Sequence, residues 1–168
     1  MKILMVTRET RADQRYGLGR SLTPLREELR HRGIAADYLC QADLGQRALL
    51  WQRRCHSIGS FLLGKWPART NFSGLLQVLL ERLNMGRLAA KLSGSQQYTH
   101  VHCHDPLIAA GLRFFLHFHR NRPIAWGVTE HGFGCYAQAI HEDGVHMSRS
   151  VMGIMRRWEA CTLLAASW

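Results

Sequence analysis

Apolar residues along the chain fall into short continuous runs that alternate with longer stretches at helical spacing. Residues 2–7 open with such a run, Ile3-Leu4-Met5-Val6, the pattern of a central parallel strand covered on both faces. A polar stretch follows over 8–15. Then come Tyr16-Gly17-Leu18-Gly19-Arg20 and a helix with Leu22, Leu25 and Leu29 on one face. Gly33 closes that helix as a left-handed cap. Pro24 leaves two starts open: Thr23 as N-cap with Pro24 at the first helical position, or a start near Gly19 with a kink at Pro24. Residues 34–40 read as the second strand.

Residues 45–93 read as mostly helical, in two pieces parted by Pro67. The first, 46–66, mixes Arg47, Arg53, Arg54 and Lys65 with Leu49, Leu50, Trp51, Phe61, Leu62, Leu63 and Trp66. The second, 72–92, carries Leu75, Leu76, Leu79, Leu80, Leu83 and Leu88 at helical spacing. A short strand over 99–104 ends at Asp105-Pro106, which suits an N-cap and first helical position. The helix so begun runs through Leu107, Ala110, Leu112, Phe115 and Leu116, and 120–123 end it. Ile124, Ala125, Trp126 and Val128 form the next buried run, ending at Thr129-Glu130-His131-Gly132. After a turn with Gly132 and Gly134 and a polar stretch to Gly144, a last helix covers 147–161. Its apolar stripe is Met147, Val151, Ile154, Met155 and Trp158, and Arg156, Arg157 and Glu159 form its wet side. Residues 163–167 read as one more buried strand. The alternation predicts an α/β fold with a doubly wound parallel sheet. There is no internal repeat and no low-complexity tract.

The 168 residues fit one domain, and a 46% hydrophobic, 20% charged composition is that of a globular chain. The net charge of +10 favours anionic partners such as sugar nucleotides or phospholipid surfaces. Nucleic acid ranks last, because no aromatic-basic RNA motif and no zinc-finger spacing is present. The five cysteines, Cys40, Cys55, Cys103, Cys135 and Cys161, are scattered and odd in number, so reduced thiols are expected. The opening apolar run is too short for a signal core, and no run is long enough to span a bilayer. A cytoplasmic protein is expected, touching a membrane at most from that side.

Three places carry candidate chemistry. His131-Gly132 puts an imidazole and an unhindered amide at the carboxyl edge of the expected sheet, where open α/β sheets bind ligands. Gly17-Leu18-Gly19 precedes a helix whose amides and dipole suit a phosphate, with Arg20 beside it. Its spacing does not match a dinucleotide fingerprint, and a surface loop with two turn glycines competes with it. His100, His102 and His104 alternate, so they share one side of a strand. Two of them could ligate a metal in a metal-dependent hydrolase. The competing reading has His102 and His104 lining the sheet edge while Asp105 caps a helix. Segment 46–66 suits an anionic bilayer or an amphipathic lipid-linked acceptor, the first also fitting a non-catalytic module that binds a membrane or a partner; an ordinary packed helix pair with solvated arginines is slightly favoured. Glu142-Asp143 reads as a solvated loop with Asp143 near a helix cap, more than as an acid–base pair.

In order along the chain, five of these elements resemble the N-terminal domain of the GT-B glycosyltransferases, specifically the retaining family 4 type (glycosyl transferase group 1). They are the opening strand, Gly17-Leu18-Gly19 entering a Leu-rich helix, His102-Cys103-His104-Asp105-Pro106, Val128-Thr129-Glu130-His131-Gly132, and Arg157-Trp158-Glu159-Ala160-Cys161 running into Leu164-Ala165-Ala166-Ser167. The resemblance implies that 1–168 form the Rossmann-like, acceptor-side lobe, with the C-terminal donor-binding domain absent from this chain. It implies a transferase that moves a sugar from a nucleotide-diphosphate sugar to a carbohydrate or lipid-linked acceptor with retained configuration, inactive as this lobe alone. His131 would be the catalytic residue beside the donor sugar. Gly17, Gly19, Arg20 and Gly132 would approach the donor diphosphate, and His104 and Asp105 would face the acceptor. Such enzymes usually need no metal or other cofactor. The chain departs from the family pattern in having Gly-Leu-Gly where adjacent glycines are common, in Pro24, and in Glu130.

Overall fold

A computed structural model of the chain describes residues 1–9, 18–63, 70–95, 98–118, 124–129 and 135–167, with the backbone alone at 18–21. Four strands, β1 (Lys2–Val6), β2 (Ala35–Leu39), β3 (His100–Cys103) and β4 (Ala125–Val128), form one sheet in the order β2-β1-β3-β4. Every pairing is parallel, with Leu4 beside Asp37 and Val101, and Val101 beside Trp126. The helices are α1 (Leu18–His31), α2 (Gln46–Leu63), α3 (Phe72–Ser95), α4 (Pro106–Phe118), α5 (Tyr136–Glu142) and α6 (Arg149–Leu164). A 3-10 turn over Gln41–Asp43 leads from β2 to α2. The fold is therefore the expected α/β class: an all-parallel, Rossmann-like sheet flanked by helices. No helix among the described residues is long and apolar enough to cross a membrane.

Alternation along the strands sorts their side chains onto two faces. Leu4, Val6, Leu39, Val101, Cys103 and Trp126 pack with Met85, Ala89 and Ala90 of α3 and Ile108, Ala109 and Leu112 of α4. Ile3, Met5, Tyr38, His100 and His102 belong to the opposite face. There α1 lies against β2, its Arg26 guanidinium 5.4 Å from the Tyr38 ring centroid. Helices α3 and α4 approach closely because glycine is present where they cross. A Cβ at Gly86 would lie 2.4 Å from the Leu112 amide nitrogen, inside any tolerable contact. A second apolar cluster, with Leu75, Leu107, Tyr136, Ile140 and Met155, joins α3 and α4 to α5 and α6.

Helix α1 begins before Pro24 and contains it, so the earlier of the two starts is the observed one. Its end matches expectation. Gly33 has φ +70°, its N–H donates to the Arg30 carbonyl, and Ile34 N–H donates to Leu29, the paired bonds of a Schellman cap. Four expectations are corrected. Residues 163–167 are not a buried strand: α6 runs on to Leu164, which is 87% exposed. Ala165 and Ala166 pack against the sheet cluster, and Ser167 N–H donates to the Trp126 carbonyl at 2.9 Å. Helix α5 occupies what reads as a polar stretch, and Asp143 is its C-cap, whereas Ser148 caps α6. The buried face of α6 is Met155, Glu159 and Thr162, so Ile154 and Trp158 face solvent and Glu159 does not.

Candidate functional site

Chain direction and strand order fix where a site belongs. The chain leaves β1 toward β2 on one side and returns to β3 on the other, so the connections diverge between β1 and β3. In open parallel sheets the crevice outside the carboxyl ends at such a point is the binding position. Thr7, Arg8 and Glu9 follow β1, His104 and Asp105 follow β3, and Thr129 follows β4. The ladder continues into these residues, with His104 N–H donating to the Val6 carbonyl and Thr129 N–H to the Cys103 carbonyl, both at 2.9 Å. Thr7, His104 and Thr129 are thus bonded through their backbone as strand residues are.

Behind this rim lies a buried polar network. Asp105 is fully buried. Its Oδ1 accepts from Leu107 N (2.8 Å) and Ile108 N (3.1 Å), capping α4 as the sequence suggests. Its Oδ2 accepts from Arg82 Nε at 2.9 Å and from the Tyr136 hydroxyl. Arg82 Nε also lies 3.3 Å from the Tyr136 oxygen, and Arg82 Nη1 pairs with Glu81 at 3.3 Å. Burial opposes the Arg82 charge, but Asp105 and the Tyr136 oxygen outweigh it and shift its pKa upward. The Tyr136 phenol is pushed up to about 12, by burial first and then by the Asp105 charge. One step deeper, Glu159 accepts from Tyr136 N (2.7 Å) and Ala137 N (3.1 Å), so a carboxylate from α6 holds the first turn of α5.

The rim itself is rich in hydrogen-bond donors, and it carries Arg8 next in sequence to the Glu9 carboxylate. Exposed Arg8 reaches the Tyr136 oxygen at 3.5 Å and places its guanidinium carbon 5.6 Å from the ring centroid. Tyr38 donates to Glu9 at 2.8 Å, and Glu9 N–H donates to Thr7 Oγ1. Burial, with Glu9 adding to it, drives the Tyr38 phenol upward. His102 and His104 stack with ring centroids 4.3 Å apart, and His102 Nε2 lies 2.7 Å from Thr129 Oγ1. Among the described residues no group of three or more His, Cys, Asp or Glu is placed to hold a metal ion. Cys103, buried between β1 and β4, has its thiol pKa driven up by burial, so it is an inert neutral thiol.

The sequence-predicted residues divide in two. His104 and Asp105 stand at the end of β3, beside Arg8 and Tyr136. Gly19 and Arg20 are in the first turn of α1, described by backbone alone, and Gly17, Glu130, His131 and Gly132 lie outside the described residues. Sequence reasoning missed Arg8, Arg82, Tyr136 and Glu159. A signal was present for two of them. Arg82 lies on the stripe Leu75, Arg82, Met85, Gly86, Ala89, and Glu159 lies between Met155 and Thr162, each a polar residue at a core position of its helix. No protein-family model matches the chain, and neither does any curated protein or solved structure.

Proposed function

We propose that this chain is the acceptor-side lobe of a retaining GT-B glycosyltransferase, using a nucleotide-diphosphate sugar as donor and a carbohydrate or lipid-linked acceptor. The observation that carries the reading is the divergence point between β1 and β3. It has Arg8 after one strand, His104 after the other, and a parallel sheet that directs ligands to that rim. In this reading the acceptor hydroxyl meets the rim at His104, and the start of α1, with Gly19 in its first turn and Gly17 just before it, faces the leaving diphosphate. His131 and Gly132 stand beside the sugar. As the bond from the anomeric carbon to the diphosphate breaks, the acceptor oxygen bonds to that carbon on the same face, and its hydroxyl proton passes to the departing diphosphate oxygen. Helix dipoles and cations such as Arg8 and Arg20 then stabilise the departing negative charge. Asp105, with both oxygens taken by donors of its own chain, acts by positioning: it holds Tyr136 and Arg82 behind the rim. The chain works at the cytoplasmic face of a membrane, from which a lipid-linked acceptor is presented.

The test is an NMR titration of the ten histidine side chains with inorganic diphosphate and a panel of mono- and oligosaccharide acceptors. His102, His104 and His131 should shift together, with His56 on α2 and His141 in the last turn of α5 unmoved. If no member of the panel moves the rim histidines, or only His56 or His141 responds, the reading fails.

A further inference from the structure

Among the described residues, α2 is the one long helix in which no residue is buried. It packs on α3 through Gln52, whose Oε1 accepts from Asn84 Nδ2 at 3.0 Å, through Gly59 against Leu76, and through His56 and Ser60 against Ser73. Those four positions define its inner side. At 100° per residue, the outer side carries Leu50, Trp51, Ile58 and Leu62. Ile58 and Leu62 are 63% and 64% exposed, which is uncommon for residues of their type. Arg47 and Arg54 lie between them and Arg53 on the flank nearer α3, all exposed, and the helix holds no Asp or Glu. A merely solvated helix would carry acids among its bases, and the net charge of +10 adds a long-range attraction to an anionic surface. Large apolar side chains interleaved with cations alone match the interface of an anionic bilayer, where acyl chains take the first and headgroups the second.

We infer that the outer face of α2 is a docking surface for an anionic phospholipid membrane, with Trp51, Ile58 and Leu62 entering the interface and Arg47, Arg53 and Arg54 among the headgroup phosphates. This rests on the part of the functional reading that brings the chain to a lipid-linked acceptor. It is tested without sugar chemistry, so the two fail separately.

The experiment is flotation of the full chain with vesicles of phosphatidylcholine alone and with a third of the lipid replaced by phosphatidylglycerol. Two variants accompany it, Ile58→Ser/Leu62→Ser and Arg47→Gln/Arg53→Gln/Arg54→Gln. All five side chains are solvent-exposed, so circular dichroism and urea midpoints should match the parent. The parent should float with the anionic vesicles and not with neutral ones. Each cation near an anionic surface contributes about fivefold, so the triple variant should partition on the order of a hundredfold more weakly. The serine variant should lose most binding as well. No flotation of the parent overturns the inference. So does flotation that survives the serine substitutions, which would report only a basic protein attracted by charge. Concentration-dependent self-association abolished by the serine variant, without vesicle binding, would assign the face to a second copy and overturn it too.

Discussion

Replacing Asp105 by Asn changes one charge and almost no volume, which makes it the sharpest probe of the buried network. Asn still offers an oxygen to the Leu107 and Ile108 amides, and Asn is as good an N-cap as Asp. What it loses is on the other oxygen, where Arg82 Nε at 2.9 Å and the Tyr136 hydroxyl now donate. An amide NH2 there meets two donors and leaves a largely buried guanidinium paired only with Glu81. Breaking one side of a buried pair costs about 3–5 kcal/mol. With the cap preserved and Glu81 nearby, about 3 kcal/mol is expected, a substantial part of the roughly 5–15 kcal/mol that holds a domain together. In urea, with a slope of about 2 kcal/mol per molar, the midpoint should fall by about 1.5 M. Adding Arg82→Met should recover part of the loss, because the orphaned charge is removed, so that the cycle shows a coupling of about 1.5 kcal/mol or more. A midpoint within about 0.25 M of the parent, or strictly additive single and double variants, would refute the claim that this carboxylate and guanidinium depend on each other.

Three further outcomes follow from the same coordinates. Gly86→Ala adds a methyl 2.4 to 2.7 Å from α4 backbone atoms; despite gaining helix propensity it should destabilise by about 2 kcal/mol, and an unchanged urea midpoint would contradict the close crossing. Because the Tyr136 phenol is raised to about 12 in the folded chain, its stabilising contribution is fully present below the unfolded value of about 10 and is lost as pH rises through the folded one. Stability should therefore fall between about pH 10 and 12, and Tyr136→Phe should flatten that slope. Under native conditions a thiol reagent should modify exposed Cys161 first and spare buried Cys40 and Cys103 until the chain unfolds; early labelling of Cys103 would mean that the core against α3 opens locally.

Period and punctuation made the sheet and the long helices legible. Apolar runs at β1 and β4, the alternation at β3, the Asp105-Pro106 start and the Gly33 stop each rest on one local rule, and each is observed. Failures came where tertiary partners override local pattern. Residues 163–167 have the composition of a buried strand, yet backbone bonding carries α6 to Leu164. Helix α5 has polar Gln138, His141 and Glu142 on so short a segment that no period can emerge, and its first turn is secured by Glu159 from a distant helix. Glu159 itself reads as solvated because charge usually is; only its place between Met155 and Thr162 betrays it. The rim was legible at His104 and Asp105, through strand alternation and capping. Arg8 and Tyr136 meet only after the chain has folded, across a sequence separation that no motif spans.

The apolar face and the polar network make different contributions. Burial of Leu4, Val101, Ile108 and their neighbours supplies most of the free energy, but such contacts are non-directional and tolerate small slides of one helix along another. Directionality comes from Asp105 and Glu159. Each caps the start of one helix and receives a donor from another element, so α4 is registered against α3 through Arg82, and α5 against α6 through its first two amides. Tyr136 belongs to both arrangements, with its amide on Glu159 and its hydroxyl on Asp105, and it is the residue Arg8 leans on at the rim. The position of Arg8 is thus tied to four helices by two carboxylates. Buried ion pairs often stabilise less than apolar groups of the same volume, so a paired Arg82→Met/Asp105→Leu replacement could leave the fold standing. What it would release is the angle of Tyr136 and the place of Arg8 beside the β1–β3 crevice, and there the carboxylates matter more than in the stability of the core.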